Sequence, residues 1–267
     1  RIEEEHRMAV TLHHNAMSTC SQKVRLALEE KGVVWTSAEL NLIAREHKAP
    51  EYLKVNANGV VPTLQVDDQI ITESSIINEY INDAFSGAAL MPVNALERAR
   101  ARSWIKQVDD GVHSACGILT YATVMRAVMM SLPRDAVLAD IAKTPDPHAR
   151  AVRESLFEHG VDAAEFGGAL DTLLDYMAAM NNALASTICL AGDGFSLADC
   201  CALPYVLRFE HMGLSRIWSD GRRPHLHRWL RDVQARPSFE LAVDKWMPAQ
   251  ALGMFAMAGE QIAAKLN

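Results

Sequence analysis

The sequence is poor in cysteine and lacks the long apolar runs that cross membranes. Its five cysteines show neither paired C-x-x-C spacing nor the density of a secreted disulfide scaffold, so we expect a reducing, cytoplasmic location. No apolar stretch approaches the roughly 20 residues of a membrane span. The charged start, Arg1 to Arg7, has no hydrophobic region of the signal-peptide kind behind it. We therefore expect no membrane association, and residues 1–7 are either a flexible extension or precede a natural start at Met8.

Positive charge is also scarce. Lys and Arg number 26 against 33 Asp and Glu, which gives a formal net charge of −7 and a pI near 5.8. A nucleic-acid surface needs a basic patch, whereas the basic residues here are scattered. Gly-rich phosphate loops are absent, and the pairs His13-His14 and His225-x-His227 lack a third ligand at metal-binding spacing. The sequence therefore predicts small-molecule or protein partners, no nucleic acid and no metal.

The pattern of apolar residues divides the chain into two regions. For residues 8–85 the pattern predicts the order β-α-β-α-β-β-α, with a parallel strand pair, a hairpin and a closing helix. Small residues and proline mark a linker at residues 86–96, and from residue 97 nearly every segment has helical spacing. We predict an α/β domain over 8–85 and an all-helical domain over 97–267.

The most informative stretch is Asn56-Ala-Asn-Gly-Val-Val-Pro62-Thr-Leu64, which is followed by Glu73-Ser74. A trans proline would weaken the strand that begins there. A cis Val61-Pro62 bond would instead turn the chain and leave the Val61 backbone ready to pair with an extended peptide. Ser74 is a candidate N-cap of the next helix, whose N-terminus favours a carboxylate, while Glu73 suits an ammonium. Together these groups match the α-amino acid head group that the γ-glutamyl end of glutathione carries.

This ordered set resembles the cytosolic glutathione S-transferase superfamily. The resemblance covers residues 8 to 248 and includes Ser196-Leu-Ala-Asp199, an N-capping box that we expect to be structural. It implies a thioredoxin-like N-terminal domain, an all-helical C-terminal domain and glutathione as co-substrate. It also implies a homodimer, with a heterodimer of two related subunits as the alternative.

Ser18-Thr-Cys20-Ser21 looks like the Ser-Ser-Cys-Ser segment of zeta-class transferases. The resemblance implies that the Ser18 hydroxyl donates to the glutathione sulfur and favours the thiolate. Each unit of thiol pKa gained is worth about 1.4 kcal/mol. Two alternatives stay open: Ser18 only caps the first helix, or Cys20 is a low-pKa thiolate that forms a mixed disulfide with glutathione, as in omega-like relatives.

Theta-like transferases place a histidine near the glycyl carboxylate of glutathione, and His47 falls at that position. Lys48 beside it could act by charge, although both could equally be solvated surface residues. The glutathione-binding residues implied by the resemblance are Thr19, Cys20, His47, Lys48, Val60, Val61, Pro62, Glu73 and Ser74.

Segments 102–110 and 141–153 look similar to those of the bacterial lignin β-etherases. This resemblance implies that a glutathione thiolate displaces an aryloxide from the carbon beside a ketone. The loop Ala16-Met-Ser-Thr-Cys20 departs from the Gly-Pro-Gly-Ala-Asn pattern of that group, which leaves the activating residue and the stereochemical preference open.

The substrate would be a small aromatic molecule, which needs an apolar slot. Candidate slot residues are Asn15, Met17, Trp104, Tyr121 and Met125. Aromatic and Met side chains at helical spacing can equally be plain core. Other functions also stay open: a general detoxifying transferase, a zeta-like isomerase, a thiol oxidoreductase acting through Cys20, or a non-catalytic subunit.

Overall fold

The computed structural model describes residues 8–266, and the extension predicted over residues 1–7 lies outside the described residues, as does residue 267. The chain forms two compact units. Unit 1 takes in the chain up to Ile105, Ile188–Pro204 and Arg231–Pro248, and unit 2 takes in Lys106–Thr187, Tyr205–Leu230 and the chain from Ala249 onward. The predicted boundaries at residues 85 and 97 follow the change in secondary structure, whereas these units follow the packing of segments that are distant in sequence.

Unit 1 contains a four-stranded mixed sheet. Its strands are β1 (Val10–His14), β2 (Thr36–Glu39), β3 (Thr63–Val66) and β4 (Gln69–Ile71), in the order β2-β1-β3-β4. β1 pairs with β2 in parallel and with β3 antiparallel, and β3 and β4 form a hairpin. The helices α1 (Thr19–Lys31), α2 (Pro50–Leu53) and α3 (Ser74–Ala84) complete the β-α-β-α-β-β-α order. The predicted thioredoxin-like α/β fold is confirmed.

The ends of α1 follow from its sequence. The Ser18 side chain accepts the Ser21 N–H at 3.2 Å and caps the first turn, and Gly32 ends the helix with a φ of 66°. Most side chains along α1 are buried, including the charged Lys23 and Arg25. α1 is therefore part of the core of unit 1, and its buried charges must find polar partners there.

The chain after α3 is helical, as predicted. Its helices are α4 (Ala95–Gln107), α5 (His113–Thr120), α6 (Arg126–Met129), α7 (Arg134–Ile141), α8 (Pro147–His159), α9 (Ala164–Ala183), α10 (Leu197–His211), α11 (Arg216–Ser219), α12 (Pro224–Gln234), α13 (Pro237–Ala242) and α14 (Ala249–Ala263). Two π-helical turns, Val108–Val112 and Tyr121–Met125, interrupt the run from α4 to α6. Short 3-10 turns lie at Glu46–Lys48, Gly160–Asp162 and Asp244–Trp246. Among residues 8–266, no helix has both the length and the apolar character that a membrane crossing requires.

The first two residues of α4 fall within the predicted linker, residues 86–96. The helix starts early because the Asn94 side chain caps it. Its Oδ1 accepts the N–H groups of Leu96 at 2.9 Å and Glu97 at 3.2 Å. An asparagine cap was therefore the signal that the sequence reasoning overlooked.

Helix α10 begins with the predicted capping box. Ser196 Oγ accepts the Ala198 N–H at 3.3 Å, and the Asp199 carboxylate accepts the Ser196 N–H at 2.9 Å in return. The same carboxylate accepts the Ser196 hydroxyl and the Leu190 N–H, each at 3.0 Å. Asp199 is completely buried. It therefore ties the start of the helix to the preceding loop, which is a structural role.

Helix α14 makes a close approach within unit 2 that requires glycine. A Cβ added at Gly259 would lie 1.7 Å from the Met212 carbonyl oxygen and 2.7 Å from the carbonyl carbon. These are backbone atoms, so α14 itself would have to move. We expect Gly259→Ala to destabilise the protein by about 1–3 kcal/mol, as overpacking of a close-packed interior does. Differential scanning calorimetry would show the lower midpoint.

Gly253 provides a matched control on the same helix. It is exposed, and an added Cβ would meet no heavy atom within 4 Å. Gly253→Ala should therefore raise stability by roughly 0.5–1 kcal/mol, because alanine is favoured over glycine inside a helix. Equal midpoints for the two variants would contradict the close packing of α14 on Met212.

Candidate functional site

Two loops that carry predicted site residues leave the sheet at the same end of its strands. His13, near the end of β1, pairs with Thr63 at the start of β3. The loop that follows β1, residues 15–18, and Pro62, which directly precedes β3, therefore leave the sheet side by side. The residues that the sequence singled out at 18 and 62 belong to neighbouring loops.

The start of α3 is linked to α1, the helix that Ser18 caps. The Lys23 ammonium donates to the Ser75 hydroxyl at 3.2 Å, and the Asn78 amide donates to the Lys23 carbonyl at 3.3 Å. The two helices pack against each other within unit 1. These contacts hold Glu73-Ser74, at the start of α3, in a fixed relation to α1.

Hydrogen bonds from Asn15 brace the loop between β1 and α1. The Asn15 N–H donates to Ser21 Oγ at 3.2 Å, and its side-chain oxygen accepts the Met17 N–H at 3.0 Å. Its amide nitrogen donates to the Leu40 carbonyl at 2.9 Å, and its carbonyl accepts the Ser18 N–H at 3.3 Å. The Asn15 side chain, predicted to line the substrate slot, thus makes its hydrogen bonds to the backbone of unit 1. This bracing orients the half-buried Ser18.

The Ser18 hydroxyl is suited to hold an anion. Its oxygen accepts the Ser21 N–H, so its hydrogen remains available to donate. It stands at the N-terminus of α1, where backbone N–H groups and the helix dipole favour negative charge. An incoming thiol placed there would be stabilised as the thiolate.

Cys20 is the second residue of α1 and is half-buried. It lies at a helix N-terminus, where negative charge is favoured, so Cys20 stays the alternative nucleophile. None of the five cysteines, all of which lie in the described chain, forms a disulfide. Over residues 8–266, no group of three or more His, Cys, Asp or Glu side chains could hold a metal ion.

The Val61-Pro62 peptide bond is cis, the second of the two alternatives that the sequence left open. A buried polar cluster supports the turn. The Tyr52 hydroxyl donates to the Val60 carbonyl at 2.7 Å and bonds the Thr63 hydroxyl at 2.9 Å. The Asn56 amide donates to the same two groups at 3.0 and 2.9 Å. Sequence reasoning did not assign this cluster, although the turn-forming run after Asn56 marked its position.

The predicted N-cap of α3 is wrong by one residue. The cap is Glu73, and Ser74 is the first residue of the helix and is buried. Glu73 adopts φ 66° and ψ 109°, and its carbonyl accepts the Ile77 N–H at 2.8 Å. A residue other than glycine in such a conformation is strained, and strain of this kind is concentrated at functional sites. The exposed Glu73 side chain and the helix N-terminus beside it fit an ammonium and a carboxylate.

The turn Glu46–Lys48 packs against the loop before Pro62. The Lys48 ammonium donates to the Asn58 carbonyl at 3.0 Å. Gly59 has a φ of 56°, and a Cβ added there would lie 2.7 Å from the His47 carbonyl oxygen. Glycine is needed at this position for both reasons, so the turn and the loop are held together.

His47 is half-buried, and its Nδ1 is enclosed without a hydrogen-bond partner in the described chain. Burial, with the neighbouring cations Lys48 and Arg45, lowers the pKa of His47. The ring is therefore neutral at pH 7. Because Nδ1 is enclosed, Nε2 is the atom that could reach a ligand carboxylate, and the exposed Lys48 supplies the charge.

The remaining predicted slot residues divide between the two units. Met17 and Trp104 belong to unit 1, where both are half-buried, and the Trp104 indole donates to the Leu190 carbonyl at 3.0 Å. Tyr121 and Met125 begin and end a π-helical turn of unit 2, also half-buried. Burial raises the pKa of Tyr121, so its hydroxyl stays protonated. Since π-helical turns are frequent at functional sites, these two residues remain predicted slot residues.

The chain combines an α/β unit with a helical unit. In the α/β unit, a cis-proline turn lies beside a first helix that a serine hydroxyl caps. These features define a two-part protein of the thioredoxin-like class. Its sequence matches the Glutathione S-transferase, N-terminal domain family over residues 17–84 and the Glutathione S-transferase, C-terminal domain family over residues 136–232. The chain belongs to the glutathione S-transferase family. Glutathione is the co-substrate of that family.

Its relatives have different chemistries. The tetrachloro-p-hydroquinone reductive dehalogenase of Sphingobium chlorophenolicum is 29% identical, over 87% of this chain and 95% of the relative. Glutathione S-transferase TCHQD of Arabidopsis thaliana is 27% identical, over 88% and 90%. The crystal structure of β-etherase LigF from Sphingobium sp. strain SYK-6 has a TM-score of 0.80 and 25% identity, over 89% of this chain and 100% of that chain. Family membership alone therefore does not name the electrophile.

Proposed function

We propose that this protein is a glutathione transferase in which Ser18 holds the glutathione sulfur as a thiolate for attack on a small aromatic electrophile. The observation that carries the proposal is the geometry of the Ser18 hydroxyl, whose oxygen accepts the Ser21 N–H while its hydrogen remains to donate. A hydrogen bond to a charged acceptor contributes about 1.5–3 kcal/mol, which lowers a thiol pKa by roughly one to two units.

Glutathione would lie across the neighbouring loops of unit 1. Its γ-glutamyl carboxylate would meet the N-terminus of α3, and its ammonium would meet Glu73. The backbone of its cysteine would pair with Val61 at the cis-proline turn. Its glycyl carboxylate would meet His47 Nε2 and Lys48. Flanking contacts are proposed for Thr19, Cys20, Val60, Pro62 and Ser74.

We propose a β-aryl ether with a neighbouring ketone as the electrophile. In the displacement, the thiolate sulfur forms a bond to the carbon beside the ketone, and the bond from that carbon to the aryl ether oxygen breaks. The electron pair leaves on the aryloxide, which is protonated to a phenol. The likeness to β-etherase LigF, with a TM-score of 0.80, and the resemblance over segments 102–110 and 141–153 support this choice. The slot residues stay predictions, and each is half-buried within its own unit: Met17 and Trp104 in unit 1, Tyr121 and Met125 in unit 2.

The test is incubation of the purified protein with glutathione and a ketone-bearing β-aryl ether dimer. Phenol release is followed by chromatography, and the glutathione thioether by mass spectrometry. We expect release that depends on glutathione, and no release from the matched alcohol dimer, whose carbon lacks the activating ketone. If glutathione binds but neither phenol nor thioether forms, the proposed β-aryl ether substrate is wrong. The proposal that the protein is a glutathione transferase is not affected by that result.

A second candidate is thiol chemistry at Cys20. Cys20 lies in the first turn of α1, where the helix N-terminus favours an anion, and a relative is named a reductive dehalogenase. In this case the Cys20 thiolate would attack the sulfur of a glutathionyl hydroquinone and form a mixed disulfide with glutathione. The bond from that sulfur to the ring carbon would break, and its electron pair would stay on the ring carbon, which takes up a proton. Mass spectrometry of the protein after turnover of a chlorinated hydroquinone would detect a glutathione adduct that is lost in Cys20→Ala.

A homodimer stays a prediction from the family resemblance, with a heterodimer of related subunits as its alternative, and a cytoplasmic location stays a prediction from the cysteine content. Light scattering during size-exclusion chromatography would distinguish a dimer from a monomer. Phenol release that appears only after a related subunit is added would support the heterodimer.

A further inference from the structure

Arg25 is a completely buried cation in the core of unit 1. Its guanidinium donates to four neutral acceptors: the carbonyls of Asn15 at 3.1 Å, Ala16 at 2.9 Å and Ala242 at 2.7 Å, and the Nδ1 of His14 at 3.0 Å. Burial lowers the pKa of Arg25 to about 9, so the group stays charged at pH 7. Removing a charge from water is costly. A residue that only filled space here would not need this charge.

Two of the four acceptors belong to the loop that carries Ser18. Asn15 and Ala16 directly precede Met17 and Ser18, and the Asn15 carbonyl also accepts the Ser18 N–H. One planar guanidinium thus holds two consecutive carbonyls of this loop in a fixed orientation. Through the Asn15 carbonyl, the position of Arg25 bears directly on the backbone of Ser18.

His14 fixes the direction of the guanidinium. Because arginine can only donate, His14 Nδ1 must accept, which leaves Nε2 as the donor to Ser37 Oγ at 2.8 Å. Burial and the Arg25 charge lower the pKa of His14 to about 3, so this tautomer of the neutral ring persists over the working pH range. The chain Ser37, His14, Arg25 is therefore a defined hydrogen-bond network.

A segment from near the other end of the chain covers the guanidinium. Ala242, the last residue of α13, supplies its shortest hydrogen bond. The Trp246 ring lies 5.4 Å from the Arg25 guanidinium carbon, meets the His14 ring edge-on at 4.7 Å and stacks on Trp35 at 5.8 Å. All of these residues belong to unit 1. The segment thus adds an acceptor and an aromatic ring to the charged network.

We propose that Arg25 is a positioning residue, which holds the Asn15 and Ala16 carbonyls so that the Ser18 hydroxyl meets the glutathione sulfur. The inference rests on the proposed role of Ser18. Arg25 touches neither glutathione nor the electrophile, and it acts on the pKa of the bound thiol through the loop alone. Lysine cannot replace it, because one ammonium cannot span four acceptors in a plane.

The test measures the pKa of the glutathione thiol bound to Arg25→Lys, from the ultraviolet absorbance of the thiolate against pH. We expect a rise of about one unit and a fall in kcat at pH 7 of up to about tenfold. The Kd of S-methylglutathione, which has no ionising thiol, should stay within about twofold, since its head-group contacts are untouched.

Lys31→Met is the matched control. Lys31 is another buried cation of α1, but its ammonium donates to the Asn82 carbonyl at 3.0 Å, away from the Ser18 loop. This variant should lose stability and leave the thiol pKa unchanged. If the bound thiol has the same pKa in Arg25→Lys as in Lys31→Met, the inference is overturned.

A second variant covers the case in which Arg25→Lys does not fold. His14→Phe keeps Arg25 and removes one of its four acceptors, so it should raise the thiol pKa in the same direction by a smaller amount. An unchanged thiol pKa in His14→Phe also overturns the inference. A wild-type protein that binds S-methylglutathione but leaves the glutathione thiol un-ionised overturns the proposed function itself, which separates the two failures.

Discussion

Ser18→Ala is expected to lower kcat/KM for glutathione transfer roughly 10- to 100-fold, the equivalent of one hydrogen bond to a charged acceptor. The alanine removes the hydroxyl that would hold the thiolate, and it leaves the proposed glutathione contacts of Glu73 and Val61 unchanged. The pKa of the bound thiol should rise with the fall in rate. Steady-state kinetics at pH 7 and thiolate absorbance measure the two effects.

The same substitution also removes the N-cap of α1. The loss of stability from the missing cap must therefore be separated from the loss of activity from the missing hydroxyl. Asp146 caps α8 by accepting the N–H groups of His148 at 3.4 Å and Ala149 at 2.9 Å. Asp146→Ala should cost a similar 0.5–2 kcal/mol of stability, roughly the range for a lost cap, with kcat unchanged. Ser18→Thr keeps both the hydroxyl and the cap and should retain most activity. Full activity in Ser18→Ala, with loss in Cys20→Ala, would instead assign the chemistry to the cysteine.

Asp199→Ala is expected to prevent stable folding. The substitution leaves three donors, the Ser196 N–H, the Ser196 hydroxyl and the Leu190 N–H, without their acceptor in a buried site. Each unsatisfied buried donor costs about 1–3 kcal/mol, so the total approaches the 5–15 kcal/mol, roughly, that holds a domain folded. Soluble yield and urea denaturation measure the loss.

Asp193 offers the control for Asp199. It is exposed, and its carboxylate accepts a single N–H, that of Ile188, at 3.4 Å. Asp193→Ala should change stability by less than about 0.5 kcal/mol. Should Asp199→Ala unfold at the same urea concentration as Asp193→Ala, the capping box would not contribute the stability that we expect of it.

Local rules were enough to predict much of this fold. The cap at Ser18 and the capping box at Ser196 each depend on residues within a few positions of one another, and both are present. The sequence left both a trans and a cis Val61-Pro62 bond open, and the bond is cis. One local prediction was wrong: Ser74 is not the N-cap of α3, because Glu73 takes a strained conformation that moves the cap by one residue.

The rest depends on contacts between residues far apart in the chain, which periodicity does not reveal. Arg25 interrupts an apolar run, and this was a visible signal that the residue is buried. Its partner Ala242 offers only a backbone carbonyl, which has no sequence signature. The Tyr52 cluster and the close approach of Gly259 to Met212 are likewise products of tertiary packing.

Unit 1 is built from three segments that are far apart in the chain, and this affects how the newly made chain folds. Synthesis proceeds from the N-terminus, and domains can begin to fold as they emerge. Here β1, α1 and the Ser18 loop emerge more than 200 residues before the carbonyl of Ala242 and the ring of Trp246, which contact Arg25. Until then, the guanidinium has water as its partner on that side. Unit 1 therefore cannot reach its final form before the chain has been translated through residue 246.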